Sequence, residues 1–219
     1  MSDSQLLTAL TTEHFTLQGA RAQTMSESSA RASLYIVAVS STLVALGFVT
    51  QLSEIGDVFN VFALTVLPTL YMLGAVTFVR LVECSAEDFR YGQAINRIRA
   101  YYKEIAGDRA DLFLLPAHDD PLGVLASTAL SPRRYQGRVP FFAFSTAIAV
   151  INSVIGGAAI AVALGAIFDA SLALAAASGG AVAILSAVVW IGYSDRLFTA
   201  RAEEVEPLFP SQPDVRDKG

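Results

Sequence analysis

From Val139 to Ser194 the chain reads VPFFAFSTAIAVINSVIGGAAIAVALGAIFDASLALAAASGGAVAILSAVVWIGYS, with Asp169 as its one charged residue. The two apolar runs on either side of Asp169, 139–168 and 170–194, each exceed the roughly 20 residues that carry a helix across about 30 Å of hydrocarbon. A helix is the expected form, because lipid offers backbone N–H and C=O groups no partners. Working outward, 32–53 and 58–79 are also free of charge and long enough. The sequence therefore predicts an all-α integral membrane four-helix bundle. Its spans are 32–53, 58–79, 139–168 and 170–194, and spans one and two are extended as cytoplasmic helices.

Composition agrees. Of 219 residues, 53% are hydrophobic and 16% charged, where a soluble domain carries about 25% charged residues. The charges are crowded between the apolar runs. Four buried helices of a soluble protein are excluded by size, since too few polar residues remain to cover them. No cleavable signal is expected, because the run that begins at Ala32 is longer than the roughly 7–15 residues of a signal core. The net charge of −5 speaks against nucleic acid as a partner. One cysteine, Cys84, excludes an intrachain disulfide, and with no cation beside it in sequence it reads as an unreactive filler. His14 and His118 lie far apart. No cofactor and no metal site is expected. His118-Asp119-Asp120 is the nearest approach to a ligand set, and a turn is the commoner meaning of that triplet.

Orientation follows from basic residues. The 54–57 connection holds Glu54 and Asp57, and the connection between spans three and four is essentially Asp169. Neither contains Lys or Arg, while Arg31, Arg80, Arg138 and Arg196 each stand near a span end. The positive-inside rule then puts both termini and residues 80–138 in the cytoplasm of a bacterial inner membrane. Tyr35, Trp190 and Tyr193 fall near the same boundary, where ring side chains are favoured.

Residues 1–31 read as a cytoplasmic helix entering span one, with Leu6, Leu10, Leu17 and Ala20 at helical spacing. Residues 80–106 continue span two. There Tyr91, Ile95, Ile98, Tyr102 and Ile105 alternate at spacings of four and three, a coiled-coil-like seam. The two extensions are expected to pack as an antiparallel pair, with pairing to another subunit as the alternative. Residues 107–138, broken by Pro116, Pro121, Gly123 and Pro132, read as a loop with short helices. Arg133, Arg134 and Arg138 suit anionic lipid headgroups. Residues 195–219 form an acidic, Pro-rich tail expected to be mobile.

Within the spans, Ser153, Gly157, Ala161 and Gly165 recur every four residues, as do Ala175, Gly179, Ala183 and Ala187. Such ridges let helices approach closely, the main attraction available in lipid. Spans one and two are bulkier and expected to touch lipid. Pro68 withholds a helix bond from the Leu64 carbonyl and predicts a kink. Ser40, Asn152 and Ser153 are candidate pore-lining groups, and interhelical hydrogen bonding is their plainer reading. Glu54, Asp57 and Asp169 would form the outer mouth of such a pore, and Asp57 and Asp169 also sit where helix N-caps belong. No Asp, Glu, Lys, Arg or His lies inside a span, which lowers ion-coupled transport and membrane proteolysis. No catalytic residue is expected.

The stretch Glu13 to Arg21 (EHFTLQGAR), followed by Ser26 to Ser33 (SESSARAS), resembles the start of uncharacterised actinobacterial four-span integral membrane proteins. It is also faintly similar to SLATT-type membrane effectors, whose spans extend into cytoplasmic helices and which are associated with nucleotide-signalled defence systems. Those have two spans, against four here. The resemblance covers about the first half of the chain and carries no catalytic residues with it.

The expected function is that of a non-catalytic homo-oligomer in the lipid bilayer, a pore or channel controlled by its cytoplasmic helices. The alternatives are an anchor or scaffold presenting a cytoplasmic segment to a protein partner, and a small-molecule transporter.

Overall fold

The computed structural model describes residues 2–52, 56–128 and 143–211. Among these residues the regular structure is all helical. Helix α1 spans Asp3–Leu52 and α2 spans Gly56–Ala106. A 3-10 turn, Gly107–Leu112, and the short helix α3, Pro121–Ser127, follow. Helices α4, Ala143–Phe168, and α5, Leu172–Glu203, complete the fold. Four of them, α1, α2, α4 and α5, are long and apolar enough to cross a membrane.

The ends are set by local chemistry. Helix α2 stops at Ala106, and Gly107 takes a left-handed φ of 52°, which glycine adopts without a side-chain clash. Asp120 caps α3 by accepting from the Gly123 N–H at 2.8 Å, with Pro121 in the first turn. Asp169 is not the cap of α5. It takes a φ of 49° beyond the end of α4, and Ser171 accepts from the Leu174 N–H at 3.4 Å instead. Asp57 stands exposed in the first turn of α2, where its charge suits the helix dipole. Pro68 lies inside α2, which stays helical through it.

The chain divides into two compact units, and α1, α2 and α5 each contribute to both. One, here the apolar unit, is Glu27–Glu83 with Phe142–Leu197. Its core gathers Tyr35, Leu67, Leu70, Phe78, Leu81, Ile148 and Ile155. A third of the apolar stretch of α2 and of α4 is buried (33% each), against 11% for α1 and α5. This revises the expectation that the first two spans are the exposed ones. Helix α5 meets its neighbours through small residues and through Trp190 and Leu197, and leaves Ile184, Leu185, Val188 and Val189 exposed.

The other, here the polar unit, is Met1–Ser26, Cys84–Phe141 and Phe198–Gly219. In it the first part of α1 lies along the last part of α2. Arg21 forms a two-pronged ion pair with Asp88, at 2.7 and 3.1 Å, and Tyr102 donates to Thr11 at 3.2 Å. Of the predicted seam, Ile95 and Ile98 are buried while Ile105 is exposed. Helix α3 packs on α2 where Gly92 leaves room. A Cβ there would stand 2.7 Å from the Val124 side chain. Phe89 and Phe198 meet edge to face, with ring centres 5.1 Å apart.

Candidate functional site

Two polar clusters are built into the fold, one in each unit. In the apolar unit Asn152 of α4 is fully buried (0% exposed). Its Oδ1 accepts from the Tyr35 hydroxyl of α1 at 3.0 Å. Gly74 of α2 closes the third side. A Cβ on it would strike the Asn152 amide and lie 2.7 Å from the Tyr35 hydroxyl. The Asn152 Nδ2 has no hydrogen-bond partner among the described residues. Next to Asn152 in sequence, Ser153 donates to Ser186 of α5 at 3.2 Å, and Ser186 also meets the Tyr71 hydroxyl of α2 at 3.2 Å. Gly156 gives the Tyr71 ring its place, since a Cβ there would stand 2.7 Å from Cε2.

The small-residue ridges of α4 and α5 meet within this one chain. A Cβ on Gly157 would collide with the Gly179 carbonyl and stand 2.9 Å from Ala183. A Cβ on Gly179 would stand 2.6 Å from the Gly157 carbonyl oxygen and 3.0 Å from Ala161. Ala175 is buried and Ala187 half-buried. Gly165 stands apart, with nothing within 4 Å of an added Cβ.

Of the candidate pore residues, Asn152 and Ser153 are turned into contacts between helices of one copy, and Ser40 is exposed on α1. Asp57 and Asp169 are exposed. Glu54, and the lipid-headgroup candidates Arg133, Arg134 and Arg138, lie outside the described residues. An open groove of about 590 Å³ runs beside α2, lined by Asp57, Val58, Val61, Phe62, Thr65 and Val66. The Thr65 hydroxyl is spent on the Val61 carbonyl, so the groove offers little chemistry beyond apolar contact.

The second cluster surrounds Asp119, also fully buried (0% exposed). The turn that carries it is fixed to α2 by two amides. Gln93 Nε2 donates to the Asp119 carbonyl at 3.0 Å, and Asn96 Nδ2 to the His118 carbonyl at 2.7 Å. The Asp119 carboxylate accepts from Arg97 Nε at 2.5 Å and from the Leu208 and Phe209 N–H groups at 2.9 and 2.8 Å. Burial by itself would push this carboxyl up. The bonds from Leu208, Arg97 and Phe209 outweigh burial and hold it below the ordinary 3.8. Asp120 takes the N–H and hydroxyl of Ser211 as well as its α3 cap. Both carboxylates of the His118-Asp119-Asp120 triplet are thus committed to protein donors.

These bonds correct the expectation of a mobile tail for residues 206–211, which are fastened to the Asp119 turn. The signal missed in the sequence was complementarity between two loops about 90 residues apart. Tyr35 was missed in the same way. It was read as an interfacial ring, but it is buried and bonded to Asn152. At the base of the apolar unit, Glu27 of α1 accepts from Arg80 of α2 and Arg31 of α1, both at 2.9 Å. The hydrogen bonds from these two guanidinium groups, Arg80 first, hold the Glu27 carboxyl below its usual range. No protein family, characterised protein or solved structure matches the chain.

Proposed function

We propose that the chain is a multi-pass protein of a bacterial inner membrane that works without catalysis, as an anchor presenting its polar unit to a protein partner. Helices α1, α2, α4 and α5 span the bilayer as a bundle. Both termini and the polar unit face the cytoplasm, because every Lys and Arg lies on that side of the spans. The observation that carries the anchor reading is the contrast between the two polar clusters. The one within the spans ties helices of the chain to one another, through bonds from Tyr35 to Asn152 and among Ser153, Ser186 and Tyr71. The one in the polar unit already holds a peptide segment of the chain itself.

Reporter fusions test the topology. A reporter active only in the cytoplasm should work after Ser211, and one active only outside should work when inserted at Ala170. The reverse pattern would overturn the orientation, and release of the protein by alkaline washing of membranes would overturn the anchor.

A homo-oligomeric pore is the second reading. It is favoured by the unpartnered Asn152 Nδ2, a buried donor of the kind that lines a hydrated path. Purified protein in liposomes separates the two. The anchor passes no more ion flux than empty vesicles at any membrane potential. A current abolished by Asn152→Leu would replace the anchor with the pore.

A further inference from the structure

The polar unit binds its own tail as a receptor binds a peptide. Arg90, Gln93, Asn96 and Arg97 line one side of α2, and the 118–120 turn rests on Gln93 and Asn96. Residues 204–211 lie on this platform. The Glu204 carboxylate meets Arg90, and the Glu206 carbonyl accepts from Arg97. The Leu208 and Phe209 N–H groups take the two oxygens of Asp119, at 2.9 and 2.8 Å. The Phe209 carbonyl accepts from the Asp119 N–H at 3.2 Å. Ser211 gives its N–H, at 3.0 Å, and its hydroxyl to Asp120.

Recognition is therefore polar and mostly main-chain. It asks for a carboxylate at the first position, a backbone bent at the fifth and sixth so that two successive N–H groups reach one carboxylate, and a hydroxyl at the eighth. Pro207 and Pro210 fix φ on either side of that bend. The apolar side chains add little, since Leu208 is 65% exposed and Phe209 38%. A segment held by exchangeable hydrogen bonds and an exposed ion pair, rather than by buried apolar area, detaches easily. The tail also leaves the platform incompletely satisfied. Gln93 Oε1 and Arg90 Nε are both buried and have no hydrogen-bond partner among the described residues, although Gln93 is only 3% exposed.

We propose that this platform is a recognition site for an acidic, proline-containing segment of a protein partner, and that residues 204–211 occupy it in the resting chain as an internal competitor. The partner segment shares the tail's chemistry, a carboxylate followed seven residues later by a hydroxyl, and satisfies the platform more fully. This rests on the anchor reading and names the partner class it needs.

The test uses the full chain in nanodiscs, one copy per disc. Cys84 is the single native cysteine and is buried, so Leu208→Cys takes a nitroxide label selectively. The label should be immobilised in the resting chain. The synthetic octapeptide EVEPLFPS, added in excess, should convert it to a mobile spectrum. A peptide carrying Gln for its first Glu and Ala for its Ser should need at least about tenfold more. Ser211→Ala in the chain, which removes only a hydroxyl, should lower the EVEPLFPS concentration required. Glu204→Gln in the chain, which removes the tail's own partner for Arg90, should do so further. A label that stays immobile at saturating peptide in both variants would overturn the proposal, as would equal potency of the two peptides. The readout is local and can be repeated in detergent, so its failure is distinct from a failed topology test.

Discussion

Asn152 shows how one buried amide organises three helices. It is reached by Tyr35 from α1 and roofed by Gly74 from α2. In hydrocarbon an amide gains from any partner, yet measured interhelical bonds average only about 0.6 kcal/mol. Tyr35→Phe is therefore expected to lower stability by about 0.6 kcal/mol. Gly74→Ala adds only a methyl group but drives it into the Asn152 amide, and overpacking of this kind costs about 1–3 kcal/mol. Reversible unfolding in mixed micelles should rank Gly74→Ala well above Tyr35→Phe. A Gly74→Ala protein as stable as the parent would show that Asn152 is free to move aside. Cys84 is buried too, so its lack of exposure, rather than sequence neighbours, is the physical ground for calling it inert.

At the scale of elements, α4 and α5 meet through absent side chains. Gly157 and Gly179 bring their backbones together, while Gly165, two turns further along the same ridge, has open space where a Cβ would stand. The contrast makes a paired prediction. Gly157→Leu should destabilise the α4–α5 contact by about 3 kcal/mol or more, since the obstacle is a backbone carbonyl. Gly165→Leu should be nearly silent in the same thermal unfolding experiment. Equal effects would remove the ridge as the reason for the contact.

The pairing of α1 with α2 in the polar unit carries a pH dependence of its own. His14 lies 5.9 Å from the Tyr102 ring. Burial, and then the charge of Arg99, hold its pKa below the ordinary 6.5. The unfolded chain therefore takes the proton first as pH falls. The pairing should be at full strength above pH 6.5 and weaken as pH drops below it. Hydrogen exchange across residues 8–18 should quicken from pH 7 to pH 5.5 beyond its intrinsic pH dependence, and His14→Gln should remove the excess. Unchanged protection would mean that His14 charges without cost.

At the scale of the whole molecule, acid should act a second time through Asp119. Its carboxyl is held below 3.8, so the stability it lends is present above that value and is lost as pH falls through the lower folded pKa. A label on the tail should thus stay immobile through the His14 transition and loosen only in stronger acid. Loosening of both in one step near pH 6 would deny Asp119 its part in holding the tail.

Much of the helical architecture was legible in the residues alone. Long charge-free runs without clustered breakers read as helix, and the interruptions at Gly107 and Pro121 mark ends that follow from the dihedral freedom of glycine and the first-turn preference of proline. The periodic small residues also announced that α4 and α5 approach at Gly157 and Gly179, since a face without bulky side chains lets two backbones come close. Partners were hidden. Nothing local in the sequence ties Tyr35 to Asn152, Arg21 to Asp88, or the 118–120 turn to Leu208, Phe209 and Ser211, because each pair is dozens of residues apart and helical periodicity describes only one element at a time. The amino-acid order by itself determined which segments are helical and which are apolar. Only the tertiary structure decided which polar groups find one another, because a hydrogen bond depends on distance in space, and that is set when the helices pack.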